Sequence, residues 1–402
     1  MEMNKVLVVI VALVVVFAGA AAFLVLKDDN EKDREINLIS GVNLEGSGMF
    51  IKSDVDIDTM IEITPDGVQY KPEGWGGKVF ATPGATSIQH ILLKSVVEDA
   101  DKIGLRFLPY QAGASLSSDA VYHIVGLASA ADVLANTIID GGMSWQPQLE
   151  RIVSDDSGKF QPLVLTNDMF PGHLCSVVAG NHSYTSTHQD ETVRFVAAFI
   201  KATEWTANAL ANPGSDDYNR LIDISLEVIG WDDTPNNRKM MEDSFTVTYV
   251  FGENTDNPLS GVKRDIASYT DSLYAMGDVL RTPLIDLGFD STRAFVDKFV
   301  DDSFMKKALA SDEDDLKAGK KADIRVAVIS GDTHQIAVHV ANSVLEEGGK
   351  SFFEQYGLNV SFSYATNGGG VAVALQNGDS NIGILGSPPI IISTVNSGLI
   401  KG

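Results

Sequence analysis

The sequence predicts an α/β protein of two lobes flanking a cleft, each lobe built on a parallel sheet. Three observations predict it. Residues 77–100, GKVFATPGATSIQHILLKSVVEDA, pass from a short apolar strand through a Gly-containing polar turn into a helix with apolar residues at helical spacing. Residues 323–349, DIRVAVISGDTHQIAVHVANSVLEEGG, repeat that pattern. The continuations also match: residues 124–147 and 362–388 each read strand, polar turn, helix ending near Gly, strand, then a loop carrying proline. Two βαβαβ units favour parallel sheets with helices on both faces. Ligands of such sheets bind outside the carboxyl ends of the strands.

Along the chain, Val6 to Leu26 is an uncharged, proline-free apolar run, long enough to span a bilayer and longer than a usual signal-peptide core. An uncleaved membrane anchor is the expectation; a signal cleaved near the AGAAA run is the alternative. Residues 27–35, KDDNEKDRE, read as a solvated tether. Between the two units lie helix candidates at 190–211, capped by Asp190, and at 216–230, 262–280 and 292–300. Residues 311–322, SDEDDLKAGKKA, are charged, have Leu316 as their one large apolar residue, and read as a linker.

Composition sets the limits. A chain of 402 residues suggests two or three folding units, and a net charge of −24 repels phosphate backbones, which argues against nucleic-acid binding. The single cysteine, Cys175, rules out an internal disulfide and reads as a buried, inert thiol in an apolar run. No GxxxxGKS loop, HExxH or nucleophile–base pair is present, and His182 and His188 lack spaced carboxylate partners. No cofactor or metal site is expected.

Several segments together resemble the substrate-binding proteins of ABC transporters in the nitrate/sulfonate/taurine and pyrimidine-precursor group. They are GDTHQIAVHVA, FFEQYGLNVSF, NGGGVAVALQNGDSNIGILGSPP, GVNLEGSG, GKVFATPGATSIQHILL, MSWQPQLERI and FPGHLC, and they cover most of the chain beyond residue 35. The resemblance implies a two-lobed, type II periplasmic-binding-protein-like fold. In that group the GDTHQ and GSPP segments precede NLEGS; here the order is reversed, so the chain reads as circularly permuted, with residue 402 meeting residue 36. The division expected is anchor and tether at 1–35, part of lobe 1 at 36–52, lobe 2 at 53–174, the return to lobe 1 with its helices at 175–310, the linker at 311–322, and the remainder of lobe 1 at 323–402. Strand 324–329 then shares a sheet with strand 36–42, strand 78–82 lies in lobe 2, and the lobe crossings fall near 48–54 and 174–181.

Five turns are candidates for converging on a ligand: Gly331–His334, Asn367–Gly370, Gly386–Ser387, Glu45–Ser47 and Ala85–Ile88. Helix N-termini present unpaired N–H groups and the positive end of the helix dipole, which suit a small anion. The candidate residues are Gly331, Asp332, Thr333, His334, Gly368, Gly369, Gly386, Ser387, Glu45, Gly46, Ser47, Thr86 and Ser87, joined by Trp145 as a stacking surface and His173 as a cleft wall or hinge. Asp332 is either a helix cap or a ligand contact. Glu45 either pairs with a ligand amine or faces away. None of the five turns holds an Arg, which favours a small or partly neutral ligand. The function implied is capture of a small, anionic solute such as a sulfonate, nitrate or bicarbonate outside the cell membrane, and delivery to an ABC permease and its ATPase. Two rival readings are a membrane-tethered ligand sensor and an enzyme like the pyrimidine-precursor synthases. The single cysteine argues against the latter, whose motif is cysteine-rich.

Overall fold

The computed structural model describes residues 34–251, 258–277 and 279–399. The Val6–Leu26 segment lies outside them, and no described helix is long and apolar enough to cross a membrane.

Two mixed sheets organise the chain. The first runs Ile36–Gly41, Ser176–Asn181, Ile382–Gly386, Ala322–Ile329 and Leu358–Ala365 in spatial order. The second runs Phe160–Leu165, Ser47–Lys52, Gly141–Trp145, Val79–Thr82, Ala120–Val125 and Arg106–Pro109. In each, the strands of the βαβαβ unit pair in parallel. A strand arriving from the other lobe joins antiparallel, followed by one more antiparallel strand at the edge. The all-parallel expectation thus gives way to mixed sheets. Antiparallel entry follows from a chain that crosses between lobes without the helical connection a parallel neighbour needs.

Strands from both ends of the described chain build the first sheet, and the Ile36 N–H donates to the Leu399 carbonyl at 3.3 Å. The crossings sit earlier than expected. Strand Ser47–Lys52 is already in the second sheet and Ser176–Asn181 is already in the first, so the chain crosses at 42–46 and again between Thr166 and Cys175. The first crossing is stiffened on two sides: Asn43–Glu45 pairs with Val247–Tyr249, and Leu44 bridges Leu174.

Local chemistry sets the helix ends. Ser87, Ser215, Ser291 and Asn367 each accept a backbone N–H from the first turn of the helix they cap, and Gly230 and Gly398 end theirs in the left-handed conformation. Asp190 is not the cap of its helix, Gln189–Leu210; His188 occupies that position. Asp190 instead lies in the first turn and pairs with Arg194 at 2.9 Å. Segment 311–322 is folded onto the protein rather than free: Glu313–Lys317 is a helix capped by Asp312, and Leu316 is buried. Its Gly319 passes against Arg194, buried on the long helix, and the Ala322 N–H donates to the Gly357 carbonyl at 3.1 Å. Arg194 Nη1 donates to the Tyr356 carbonyl at 2.7 Å, and a Cβ added at Gly319 would stand 2.5 Å from Arg194 Nε.

Arg194 therefore acts through the buried carbonyl more than through its ion pair, because Asp190 is 68% exposed and solvent screens it. Arg194→Met should cost about 2–3 kcal/mol of stability by leaving that carbonyl unpaired, whereas Asp190→Asn should cost below about 1 kcal/mol. Urea unfolding of the two variants checks the order; equal losses would contradict it.

Candidate functional site

A cavity of about 230 Å³ lies between the two sheets, lined from both lobes. The second lobe contributes Gly84–Gln89 and Trp145, and the first contributes Ile329, Asp332, His334, Asn367, Gly368, Gly386 and Pro389. Cys175 and Ser176, at the end of the second crossing, complete the wall. Four of the five expected turns reach it, each just past the carboxyl end of a strand, as an open α/β sheet requires. The volume suits a ligand smaller than a drug-sized molecule.

The turns differ in what they can donate. The helices Ile88–Glu98 and Gly368–Gln376 start at the cavity. Among the described residues the Ile88, Gln89, Gly368 and Gly369 N–H groups meet no protein acceptor. The Thr86 and Ser87 side chains stand beside the first of these starts, and Gly369 lies within 4 Å of Thr86 Oγ1 when given a Cβ, which places it at the rim. After Gly386, the Gly386–Ser387 turn offers no free N–H. Pro388 and Pro389 have none, the Ser387 N–H donates to the Cys175 carbonyl at 2.9 Å, and the Ser387 hydroxyl donates to the Leu174 carbonyl at 3.4 Å. Ser387 is thus a fastener for the crossing and not a ligand donor, while Gly386 lets the backbone border the cavity.

The Gly331–His334 turn is likewise committed. Thr333 is fully buried; its N–H donates across the cleft to the Gln146 carbonyl at 3.3 Å, and its carbonyl accepts from Tyr249 Oη. The Gly331 carbonyl accepts from Gln148 Nε2 at 3.3 Å. Neither residue lines the cavity; both join the lobes at its edge. Asp332 does reach it, but as a cap: Oδ1 accepts from the His334 N–H at 2.9 Å and Oδ2 from Gln335 Nε2 at 3.2 Å.

His334 holds the charge. Its Nδ1 faces Asp332 Oδ1 at 2.5 Å and its Nε2 faces the Glu45 carbonyl at 3.0 Å. A carboxylate and a carbonyl only accept, so both nitrogens carry protons and the ring is cationic. Burial opposes that charge, but the adjacent Cys175 sulfur and the Asp332 carboxylate outweigh it and hold the imidazolium well above the ordinary histidine range.

The Glu45–Ser47 turn stands behind this wall, not in it. Glu45 is left-handed at φ 65°, and Gly46 follows at φ 89°. A Cβ on Gly46 would meet His334 Nε2 at 2.5 Å and Val247 Cγ2 at 2.4 Å, so only glycine fits. The Glu45 carboxylate turns to the second crossing and accepts from Asn167 Nδ2 at 2.6 Å and the Gly172 N–H at 2.8 Å. It faces away from any ligand amine. Ser47 is buried, exchanging bonds with Thr166 through its N–H and carbonyl, while its hydroxyl accepts from Gln89 Nε2 at 2.9 Å and so positions that cavity residue. His173 is also outside the cleft. Its Nδ1 donates to the Phe170 carbonyl at 2.9 Å, and it lines a separate cavity beside the crossing.

Trp145 is 6% exposed, lines the cavity, and has an indole N–H with no acceptor among the described residues. Sequence reasoning missed Gln89, Ser176 and the cavity position of Cys175, which is buried as expected yet borders the cleft beside His334. The helix start at Ser87 already pointed to Gln89; nothing local pointed to Cys175. Among the described residues no three His, Cys, Asp or Glu side chains converge as metal ligands.

The buried histidines divide by sign. Burial pushes His339 down to about 4, against the weak upward pull of Asp332, and burial likewise pushes His173 down to about 4. Both stay neutral in the fold yet take a proton near 6.5 when unfolded, so their stabilisation is present above 6.5 and lost as pH falls towards 4. His334 runs oppositely: its contribution is complete below 6.5 and declines as pH rises through its raised folded value. The melting temperature should therefore fall from pH 6.5 to 5. His339→Phe, which keeps the contact with Phe362 at 4.5 Å, should flatten that fall. For His339 alone the full effect, complete only near pH 4, is about 3 kcal/mol. Calorimetry across that window checks it; an unchanged slope would be the contrary result.

No family model matches the chain, and no curated relative matches it. Among solved structures, the chain is similar to a ligand-binding component of an ABC-type import system from Staphylococcus aureus with zinc bound. The identity is 16% and the TM-score 0.39, over 70% of this chain and 77% of that one. It is also similar to the periplasmic nitrate-binding protein NrtA from Synechocystis PCC 6803, at 12% identity and a TM-score of 0.43, over 69% of this chain and 68% of that one.

Proposed function

We propose that the protein is the solute-binding component of an ABC importer. It captures a small anion outside the cell membrane and delivers it to a permease and its ATPase by closure of the two lobes. The observation that carries this reading is the cavity between the lobes, onto which helix starts from both sides open with unpaired N–H groups. A ligand held by donors from both lobes stabilises their closed arrangement by its differential affinity for it. The imidazolium of His334 sets a positive charge in the wall, while its partner Asp332 has its oxygens engaged by hydrogen bonds. The near balance of those charges favours a singly charged head group, such as a sulfonate, nitrate or bicarbonate, over a dianion.

Two further parts of the proposal concern the chain. The Val6–Leu26 run is the membrane tether, and the order of segments is a circular permutation. The shared first sheet and the bond between Ile36 and Leu399 support the latter, since joined ends must lie close.

A thermal-shift screen of taurine, alkanesulfonates, nitrate, bicarbonate and pyrimidines, followed by calorimetric titration, tests the reading. At least one anion should raise the melting temperature; no stabilisation by any of them would count against an anion site. With the ligand in hand, Trp145→Phe removes the indole N–H while keeping an aromatic ring. It should weaken binding about tenfold and leave the ligand-free melting temperature nearly unchanged. Undiminished affinity would remove Trp145 from the site.

A further inference from the structure

We propose that a second cavity, beside the crossing and one helical turn along from the cleft, binds a small organic ammonium ion. This goes beyond the solute-binding reading and does not depend on what the cleft takes. The cavity encloses about 190 Å³ between helix Ile88–Glu98 of the second lobe, helix Pro258–Ala275 of the first, and the crossing segment Phe170–Leu174.

Its polar groups are unbalanced towards acceptance. His173 Nδ1 faces the Phe170 carbonyl, which only accepts, so the proton sits on Nδ1 and Nε2 carries the lone pair. That nitrogen is buried and has no partner among the described residues, and burial keeps the ring neutral by lowering it to about 4. Asp265 lines the same cavity with a carboxylate only 16% exposed, and its ion-pair partner Arg264 is 68% exposed. Two of the wall's hydroxyls are spent: Tyr269 Oη donates to the Leu174 carbonyl at 2.9 Å and Ser95 Oγ to the Leu92 carbonyl at 2.8 Å, while the Ser268 and Ser272 hydroxyls can accept as well as donate. Lys102 stands over the Phe170 ring at 5.1 Å, but Asp99 pairs with it at 3.3 Å. An occupant that brings positive charge meets the Asp265 carboxylate and the Ser268 and Ser272 hydroxyls as acceptors, with the covered lone pair of His173 adding negative potential behind them, and its hydrocarbon body meets Leu92, Phe170 and Met276. A protonated amine on a compact apolar frame supplies both. Because the walls belong to both lobes and to the crossing, its binding is coupled to lobe closure.

Benzylamine is the probe, with benzyl alcohol as its uncharged counterpart. The intact protein carries ¹³C-methyl methionine, and the Met276 signal, assigned through Met276→Leu, reports the location. Benzylamine should shift that signal saturably, and benzyl alcohol should bind about tenfold more weakly or not at all. Asp265→Asn should cost benzylamine about tenfold in affinity, and Ser272→Leu, which fills the cavity, should abolish the shift. The proposal is overturned if no saturable Met276 shift occurs, if the alcohol binds as well as the amine, or if Asp265→Asn binds benzylamine unchanged. Should Asp265→Asn fail to fold, the amine–alcohol comparison on the native protein decides alone. None of these outcomes depends on an anion binding in the cleft.

Discussion

The His334 ring, clamped between the Asp332 carboxylate and the Glu45 carbonyl, is the interaction on which the site's construction rests. Asp332 belongs to the first sheet's opening turn and Glu45 to the short strand Asn43–Glu45 of the first crossing, so the ring ties a lobe to the crossing. Several oddities follow from that one clamp. Glu45 adopts a left-handed backbone that a non-glycine residue rarely takes, because its carbonyl must point at Nε2. Gly46 has no room for a side chain because the ring lies against it. The Glu45 carboxylate, swung away by the same turn, then braces the second crossing through Asn167 and Gly172. A buried cation with two committed acceptors is costly to disturb, since losing either partner leaves an unpaired group in low dielectric.

Around this clamp the cavity separates binding from bracing. The helix starts at Ser87 and Asn367 leave amides unpaired at the cavity, whereas the turns at Asp332 and Ser387 spend theirs on the other lobe and the crossing. The committed donors join the lobes and the crossing: Thr333 to Gln146, Gln148 to Gly331, Ser387 to Cys175. Ligand contacts and lobe contacts thus lie next to each other along the same loops. A ligand that pulls on Gly368 or Gln89 acts within one or two residues of groups that set the lobe arrangement.

Much of this was legible in the sequence, because it depended on local periodicity. The two strand–turn–helix units and the small-residue turns at strand ends announce themselves by spacing, and they place Thr86, Ser87, Asp332, His334, Gly368, Gly386 and Trp145 at the cavity. What escaped depended on where a side chain points after a crossing. Glu45, Ser47 and His173 lie close to the cleft in sequence terms, yet a positive φ at Glu45 and the bond from His173 to Phe170 turn them elsewhere. At the Gly386–Ser387 turn the missing Pro388 and Pro389 amides are visible in the letters themselves, because proline has no N–H, whereas the loss of the Ser387 donors to the Cys175 and Leu174 carbonyls is not. The crossings were placed late because Ser47–Lys52 and Ser176–Asn181 read alike as apolar strands; only pairing partners assign each to a sheet.

The charge on His334 is the claim most directly open to measurement. In ¹⁵N-histidine-labelled protein at pH 7.5, two-dimensional NMR through the ring carbon protons reports both ring nitrogens of His334, assigned by comparison with His334→Gln. The clamp predicts that Nδ1 and Nε2 both show protonated shifts, with two slowly exchanging N–H protons. A pyridine-like shift at either nitrogen would show a neutral ring, and the cleft would then lack the positive charge assigned to its wall.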